Sequence, residues 1–271
     1  MGKFQPPFSF TGTIGNISVY KMRGSDKPIV RRKGGPTKKQ IQTKPSFAAT
    51  RRNNMEFGGR ARIAGQVLDI LRPLKYLGDY NLAGPLNTLF KPIQELDTVS
   101  EHGQRNVVLT KDPHLLQGFS FSRKNPFENI IANRIIYTLS KETLKASVTF
   151  PALIPGVNFF IPGNYAWYKF MVVLGTIEDM FYTERGYKPQ NGKEMFMWEL
   201  EVTDWLAVSP RSEPVTVAFN SMGDYFEKLD ENVSFNPQSL LLAVGIAFGN
   251  MVRGEVEMVK YVGAGKVLAM A

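Results

Sequence analysis

Along the first quarter of the chain, apolar positions come in short clusters separated by polar breaks. Over residues 8–33, Ile14, Val19, Tyr20 and Met22 are apolar and mostly β-forming. The cluster Arg23-Gly24-Ser25-Asp26-Lys27 then reads as a turn, and Pro28-Ile29-Val30-Arg31 resumes extended chain. This pattern predicts a β-hairpin. A lone two-stranded hairpin is marginal in water, so this one is expected to pair with something else. Residues 33–45, opening Lys33-Gly34-Gly35-Pro36-Thr37-Lys38-Lys39-Gln40, have almost nothing to bury and read as a basic, flexible linker.

The period then changes. Phe57, Ala61, Ala64, Leu68 and Leu71 lie 4, 3, 4 and 3 residues apart, one apolar stripe of a helix over 46–72, with Ser46 as N-cap and Arg72-Pro73 as its stop. Gly58-Gly59 weakens its middle, each glycine by roughly 1 kcal/mol relative to alanine, unless another backbone must come close there. A second helical stretch over 84–97 carries Leu86, Leu89, Phe90, Ile93 and Leu96, with Pro92 as a kink. Together the two predict a helical hairpin.

From residue 105 the pattern is that of strands: 105–110, 117–122, 133–139, 145–150, 166–175, 194–203, 213–219, 238–249 and 255–262. Pro, Gly and Asn clusters such as Pro162-Gly163-Asn164 and Gln190-Asn191-Gly192 separate many of them. Many short strands with regular turns argue for an antiparallel sandwich. Over 194–203, Phe196, Trp198, Leu200 and Val202 form the more apolar set and are expected to face the core. A weak internal echo runs through this region. Ser147–Phe150, a Phe segment ending at Pro162 and the apolar run Phe170–Met180 are followed by Pro214–Val217, a Phe segment ending at Pro237 and the run Leu241–Met251. Two sandwich repeats, or two halves of one, would produce it. The expected class is α+β, mainly β. Residues 1–45 form a basic extended arm or hairpin and 46–104 a helical segment. Residues 105–207 form a first β-sandwich repeat, and 208–271 a second repeat or the completion of the sandwich.

Charge adds an asymmetry. The 271 residues carry a formal net charge of +9, yet residues 1–75 hold 16 Lys/Arg against three acids, a net +13, and the rest holds 17 against 21, a net −4. A basic first quarter on a mildly acidic body seeks an anionic partner, either nucleic acid or the body of another copy. With no cysteine and two histidines, His102 and His114, in turn regions, thiolate chemistry is excluded and most metal and triad chemistry lacks its ligands. Gly263-Ala264-Gly265-Lys266-Val267 resembles a phosphate loop but has Val267 where the metal-binding Ser/Thr belongs, and fits a strand end better. Glu199 and Glu201 share one strand face, a placement a glycosidase pair also uses, though an exposed polar face accounts for them without chemistry. The longest apolar run, Leu240–Phe248, has nine residues, against about 20 for a membrane-spanning helix. The start of the chain has no apolar leader, so synthesis in the cytoplasm is expected.

The run Gly15-Asn16-Ile17-Ser18-Val19-Tyr20, then a turn, Ile29-Val30-Arg31, a Lys/Pro linker and the helix opening at Phe47–Arg51 resembles an uncharacterised bacterial family. That family begins with a Gly-Asn-Val-Val-x-Tyr hairpin, a basic linker and a helix, followed by β-sandwich repeats. Ser18 and the long second helical segment depart from its pattern. The resemblance implies architecture only, since it brings no activity.

These features point to a non-catalytic structural subunit that assembles with copies of itself through the arm into a tube, filament, phage-tail-like or capsid-like particle that can leave the cell. The residues expected at the contact are Tyr20, Arg23, Ile29, Arg31, Arg32, Lys33, Lys38, Lys39, Arg51 and Arg52. No cofactor, metal, membrane or small-molecule substrate is expected. The alternative is a ribosome- or genome-associated protein whose arm runs along phosphates. Phe8, Phe10 and Tyr20 interleave with the arm's cations as a single-strand binder requires, or else anchor the hairpin into a core.

Overall fold

A computed structural model describes residues 10–21, 27–190, 197–220, 222 and 238–271, together with the backbone of 2–3. The predicted turn at 23–27 falls largely outside these residues, as do Arg23, Phe8 and Phe196. Two compact units divide the chain, residues 1–53 and 54–271.

In the first unit, β1 (Gly2–Lys3), β2 (Gly12–Ile14), β3 (Ile17–Tyr20) and β4 (Ile29–Arg32) form an antiparallel sheet in the order β1-β4-β3-β2. The expected hairpin is therefore part of a four-stranded sheet. The β2–β3 connection is the two-residue loop Gly15-Asn16, with Gly15 at φ 55°, the glycine-first turn that matches strand twist. Part of the expected flexible linker is helical. Helix α1 (Lys38–Thr43) starts at Thr37, whose hydroxyl accepts from the Gln40 N–H while the Gln40 side chain accepts from the Thr37 N–H. This reciprocal cap supports a helix that buries none of its own side chains.

The remaining helices are α2 (Ala48–Ile70), α3 (Ala83–Glu95) and α4 (Phe127–Ile130), and the remaining strands begin with β5 (Ile136–Ser140) and β6 (Lys145–Phe150). Next come β7 (Trp167–Ile177), β8 (Phe181–Thr183), β9 (Gly186–Lys188), β10 (Trp198–Val202) and β11 (Leu206–Ala207). The last four are β12 (Val215–Phe219), β13 (Ser239–Val252), β14 (Glu255–Met258) and β15 (Ala264–Met270). The chain is α+β and mainly β, with several antiparallel sheets and a helical hairpin of α2 and α3.

The centre of the second unit is the long antiparallel pair β7–β13, in register from Trp167↔Gly249 to Ile177↔Ser239. β10 and β11 pair successive stretches of the outer edge of β7, and β15 and β14 do the same for β13. One face of the pair, Phe170, Val172, Leu174, Leu242, Val244 and Ile246 among others, packs with Val148 and Phe150 of β6 and Phe219 of β12. The opposite face, including Met171, Val173, Leu241 and Ala243, packs with Ile63, Val67 and Ile70 of α2 and with Leu86, Phe90 and Ile93 of α3. Burial on both faces explains why these strands read as continuous apolar runs instead of alternating. Gly175 lets α2 approach, since a Cβ there would lie 2.7 Å from Ile70.

The Phe segment of the echo that ends at Pro237 lies outside the described residues. Of the strands in the echo, β6 pairs with β12 and β7 pairs with β13.

Several local expectations differ from the structure. Residues 105–110 and 117–122 contribute single bridges, Val107↔Met180 and Ser120↔Lys266, rather than strands. On α2 the buried set is Glu56, Gly59, Ile63, Ala64, Gln66, Val67 and Ile70, while Phe57 is exposed. Small Gly59 and ion-paired Glu56 turn the inward face away from Phe57. Val202 is exposed too, because β10 lies at a sheet edge.

Candidate functional site

The arm sheet has two chemically distinct faces. Cross-strand register sets Gly12, Val19 and Val30 opposite one another, and likewise Ile14, Ile17 and Arg32. Alternation places Ile14, Ile17, Val19, Val30 and Arg32 on one face and Thr13, Ser18, Tyr20, Ile29 and Arg31 on the other. The first face is apolar yet largely uncovered, with Ile14 66% and Ile17 45% exposed. Among the described residues up to Asn53, Val19 and Pro28 alone are buried, Val19 at 4%. The arm therefore has a formed backbone ladder with almost no core behind it.

The expected contact residues fall into three groups. Arg31, Arg32, Lys33, Lys38, Lys39 and Arg52 are exposed cations. Tyr20 and Ile29 are opposite each other in β3 and β4, and the Arg31 guanidinium lies 5.5 Å from the Tyr20 ring centre. Arg51 is held locally: its guanidinium donates to the carbonyls of Ile41 at 2.8 Å and Lys44 at 2.9 Å, fastening the end of α1 to the start of α2.

In the second unit, a polar network joins helices and loop. The buried Glu56 carboxylate accepts two bonds from the Arg105 guanidinium, at 2.6 and 2.8 Å, and one from the Gly103 N–H at 2.9 Å. Burial pushes this carboxyl up, but those donors outweigh it and hold it below the ordinary glutamate range. Arg60 donates to Asn87 and Gln94, Gln94 donates to the Arg105 carbonyl, and Tyr187 donates to that carbonyl at 2.8 Å. Burial, with Glu56 nearby, raises the Tyr187 hydroxyl to about 12. A carboxylate locked in a forked ion pair and a phenol that stays protonated are suited to bracing, since general acid–base work wants groups titrating near neutrality. Nothing in the sequence pattern singled out this network. Glu56 stands one residue from the predicted apolar stripe, and its partner Arg105 is 49 residues away.

Asp97 organises the following loop. Its carboxyl accepts from the N–H groups of Val99, Ser100 and Asn106. Burial opposes ionisation, yet these donors bring its pKa down to about 2. Both histidines sit in exposed loops, and among the described residues no group of three or more His, Asp or Glu side chains is placed to hold a metal ion. No helix among the described residues is long and apolar enough to cross a membrane. An open cleft of about 340 Å³ is lined by Glu201, Val202, Thr203 and Asp204 near β10 and by Thr216, Val217 and Ala218 of β12.

No family model, curated protein or solved structure matches the chain. No residue role is carried over from a relative, and the surfaces themselves carry the functional reading.

Proposed function

We propose that this chain is a non-catalytic structural subunit that assembles with copies of itself, through its basic N-terminal arm, into a tube, filament, phage-tail-like or capsid-like particle. In this reading the body is a two-sheet β-sandwich backed by helices, a rigid carrier for the arm. One observation carries the proposal: the arm sheet leaves Ile14 and Ile17 exposed on its apolar face, with Val19 alone buried. An exposed apolar sheet face with an open edge strand gains both apolar burial and main-chain hydrogen bonds when another chain covers it.

A second reading has its own support. The exposed run Arg31, Arg32, Lys33, Lys38 and Lys39, with Tyr20 beneath Arg31, also suits a nucleic-acid backbone. The two separate in one experiment. Nucleic-acid-free protein is examined by light scattering and negative-stain microscopy, as the wild-type chain, as the full-length Ile14→Glu/Ile17→Glu variant and with residues 1–45 deleted. Ordered particles lost in both altered chains support assembly. A wild-type monomer that binds nucleic acid with a steep salt dependence supports the second reading, and a monomer that does neither overturns both.

A further inference from the structure

The lysine of the run Gly263-Ala264-Gly265-Lys266-Val267 makes no phosphate loop, but it lines a cleft in the second unit. The cleft has a volume of about 390 Å³. That is the lower end of the range for small-molecule sites, roughly 300–1,000 Å³. Its floor is apolar: Ile131, Ile135, Val267 and Leu268 line it and are themselves buried. Its polar groups come from separate elements. Lys266 belongs to β15, Glu128 to α4 and Tyr137 to β5, while Asn133 and Arg134 lie between α4 and β5. Gln117 adds a sixth from the loop ahead of α4.

Lys266 is already paired. Its ammonium lies 2.5 Å from the Glu128 carboxylate and 5.3 Å from the Phe127 ring centre, and its side chain is 16% exposed. Burial pushes the Glu128 carboxyl up, but the bond from Lys266 holds it below the ordinary glutamate range. The pair is therefore ionised, and neutral as a whole. Arg134 differs: it is exposed, and among the described residues its guanidinium has no ion pair or hydrogen bond. The side chains of Gln117, Asn133 and Tyr137 likewise have no partner among the described residues. The cleft thus carries one uncompensated positive charge, three neutral hydrogen-bonding groups and an apolar floor.

We propose that this cleft binds a small organic carboxylate with an apolar body. The planar fork of Arg134 matches a carboxylate in shape and charge. Asn133 and Gln117 offer amide N–H donors and Tyr137 a hydroxyl, while the hydrocarbon part of the ligand covers Ile135 and Leu268. The charge count selects a monoanion. A phosphate dianion wants a second free cation, and Lys266 is held by Glu128. A free acid and the C-terminus of a peptide share the carboxylate headgroup, and the test separates them. The site is remote in sequence from the arm and stands whether or not the chain assembles.

The test is an NMR titration of the full-length chain, with circular dichroism to confirm that each variant folds. The probes are hexanoate as a free acid, N-acetylleucine as a peptide C-terminus, hexanamide as the uncharged counterpart of hexanoate, and inorganic phosphate. At least one carboxylate binds, the tighter of the two naming the source. Hexanamide and phosphate bind about tenfold more weakly or worse, because bonds to a charged group carry the affinity. Arg134→Gln weakens carboxylate binding by about tenfold or more. Ala132→Trp, which fills the cleft from an exposed position and alters no charge, abolishes it. Glu128→Gln frees Lys266 as a second cation and tightens binding by roughly threefold. The proposal is overturned if neither carboxylate binds, or if hexanamide or phosphate binds as tightly as the better carboxylate. It is equally overturned if Arg134→Gln or Ala132→Trp leaves binding unchanged, or if Glu128→Gln weakens it.

Discussion

Glu56 shows what a single residue can decide. It sits on α2 among apolar neighbours, buried, and is held by both arms of the Arg105 guanidinium and the Gly103 N–H. Glu56→Ala leaves Arg105 without its counter-charge, and loss of one member of a buried pair costs roughly 3 kcal/mol. Urea denaturation should show that loss as a lower midpoint at unchanged slope. Asp97 contributes to acid sensitivity. Its pKa is about 2 in the folded chain against 3.8 for a free aspartate, so the folded state holds fewer protons between those values. Its stabilising contribution is complete above 3.8 and is lost as pH falls through about 2. Asp97→Asn should flatten that part of an acid-unfolding curve followed by circular dichroism. The role of Glu56 was not legible from the sequence, because its partners lie 47 and 49 positions away and no local pattern encodes a contact at that range.

Elements were far more legible than partners. The 145–150 strand, the long runs that became β7 and β13, and the helices α2 and α3 followed from periodicity and from stop signals such as Arg72-Pro73. The errors have physical causes. α1 was hidden because it buries nothing, and its support is the Thr37/Gln40 cap rather than an apolar stripe. β8 and β9 are three residues each, too short for a period. Residues 117–122 are apolar because Phe121 fills the helix-side core, not because they form a strand. Packing of α2 on β7 depends on Gly175, where an added methyl would collide with Ile70. Gly175→Ala should destabilise by about 1–3 kcal/mol through overpacking. Combined with Ile70→Ala it should cost less than the two single changes added together, since the second change makes room for the first. Thermal unfolding of the two single variants and the double variant measures that coupling.

At the scale of the whole molecule, a net +13 over residues 1–75 against −4 over the rest makes any arm-to-body contact between copies salt-sensitive. Charges across an exposed contact are screened as the Debye length falls from about 10 Å at 0.1 M salt to about 3 Å at 1 M. If the chain assembles as proposed, light scattering across that range should show particles dissociating, more steeply for the wild-type chain than for one in which Lys38 and Lys39 are replaced by Gln. In the proposed contact, the apolar part through Ile14 and Ile17 is not screened and sets what remains at high salt.

Period, turn chemistry and charge order are local properties, and for that reason the amino-acid sequence by itself determined the succession of arm, helical hairpin and strands, the basic character of the arm and the scarcity of metal and thiol chemistry. Which strands become neighbours was settled only in three dimensions. The pairing of β6 with β12 and of β7 with β13, and the helices covering one face of the central sheet, join residues tens of positions apart. Their energies come from burial and hydrogen bonding that exist only once the chain has closed on itself.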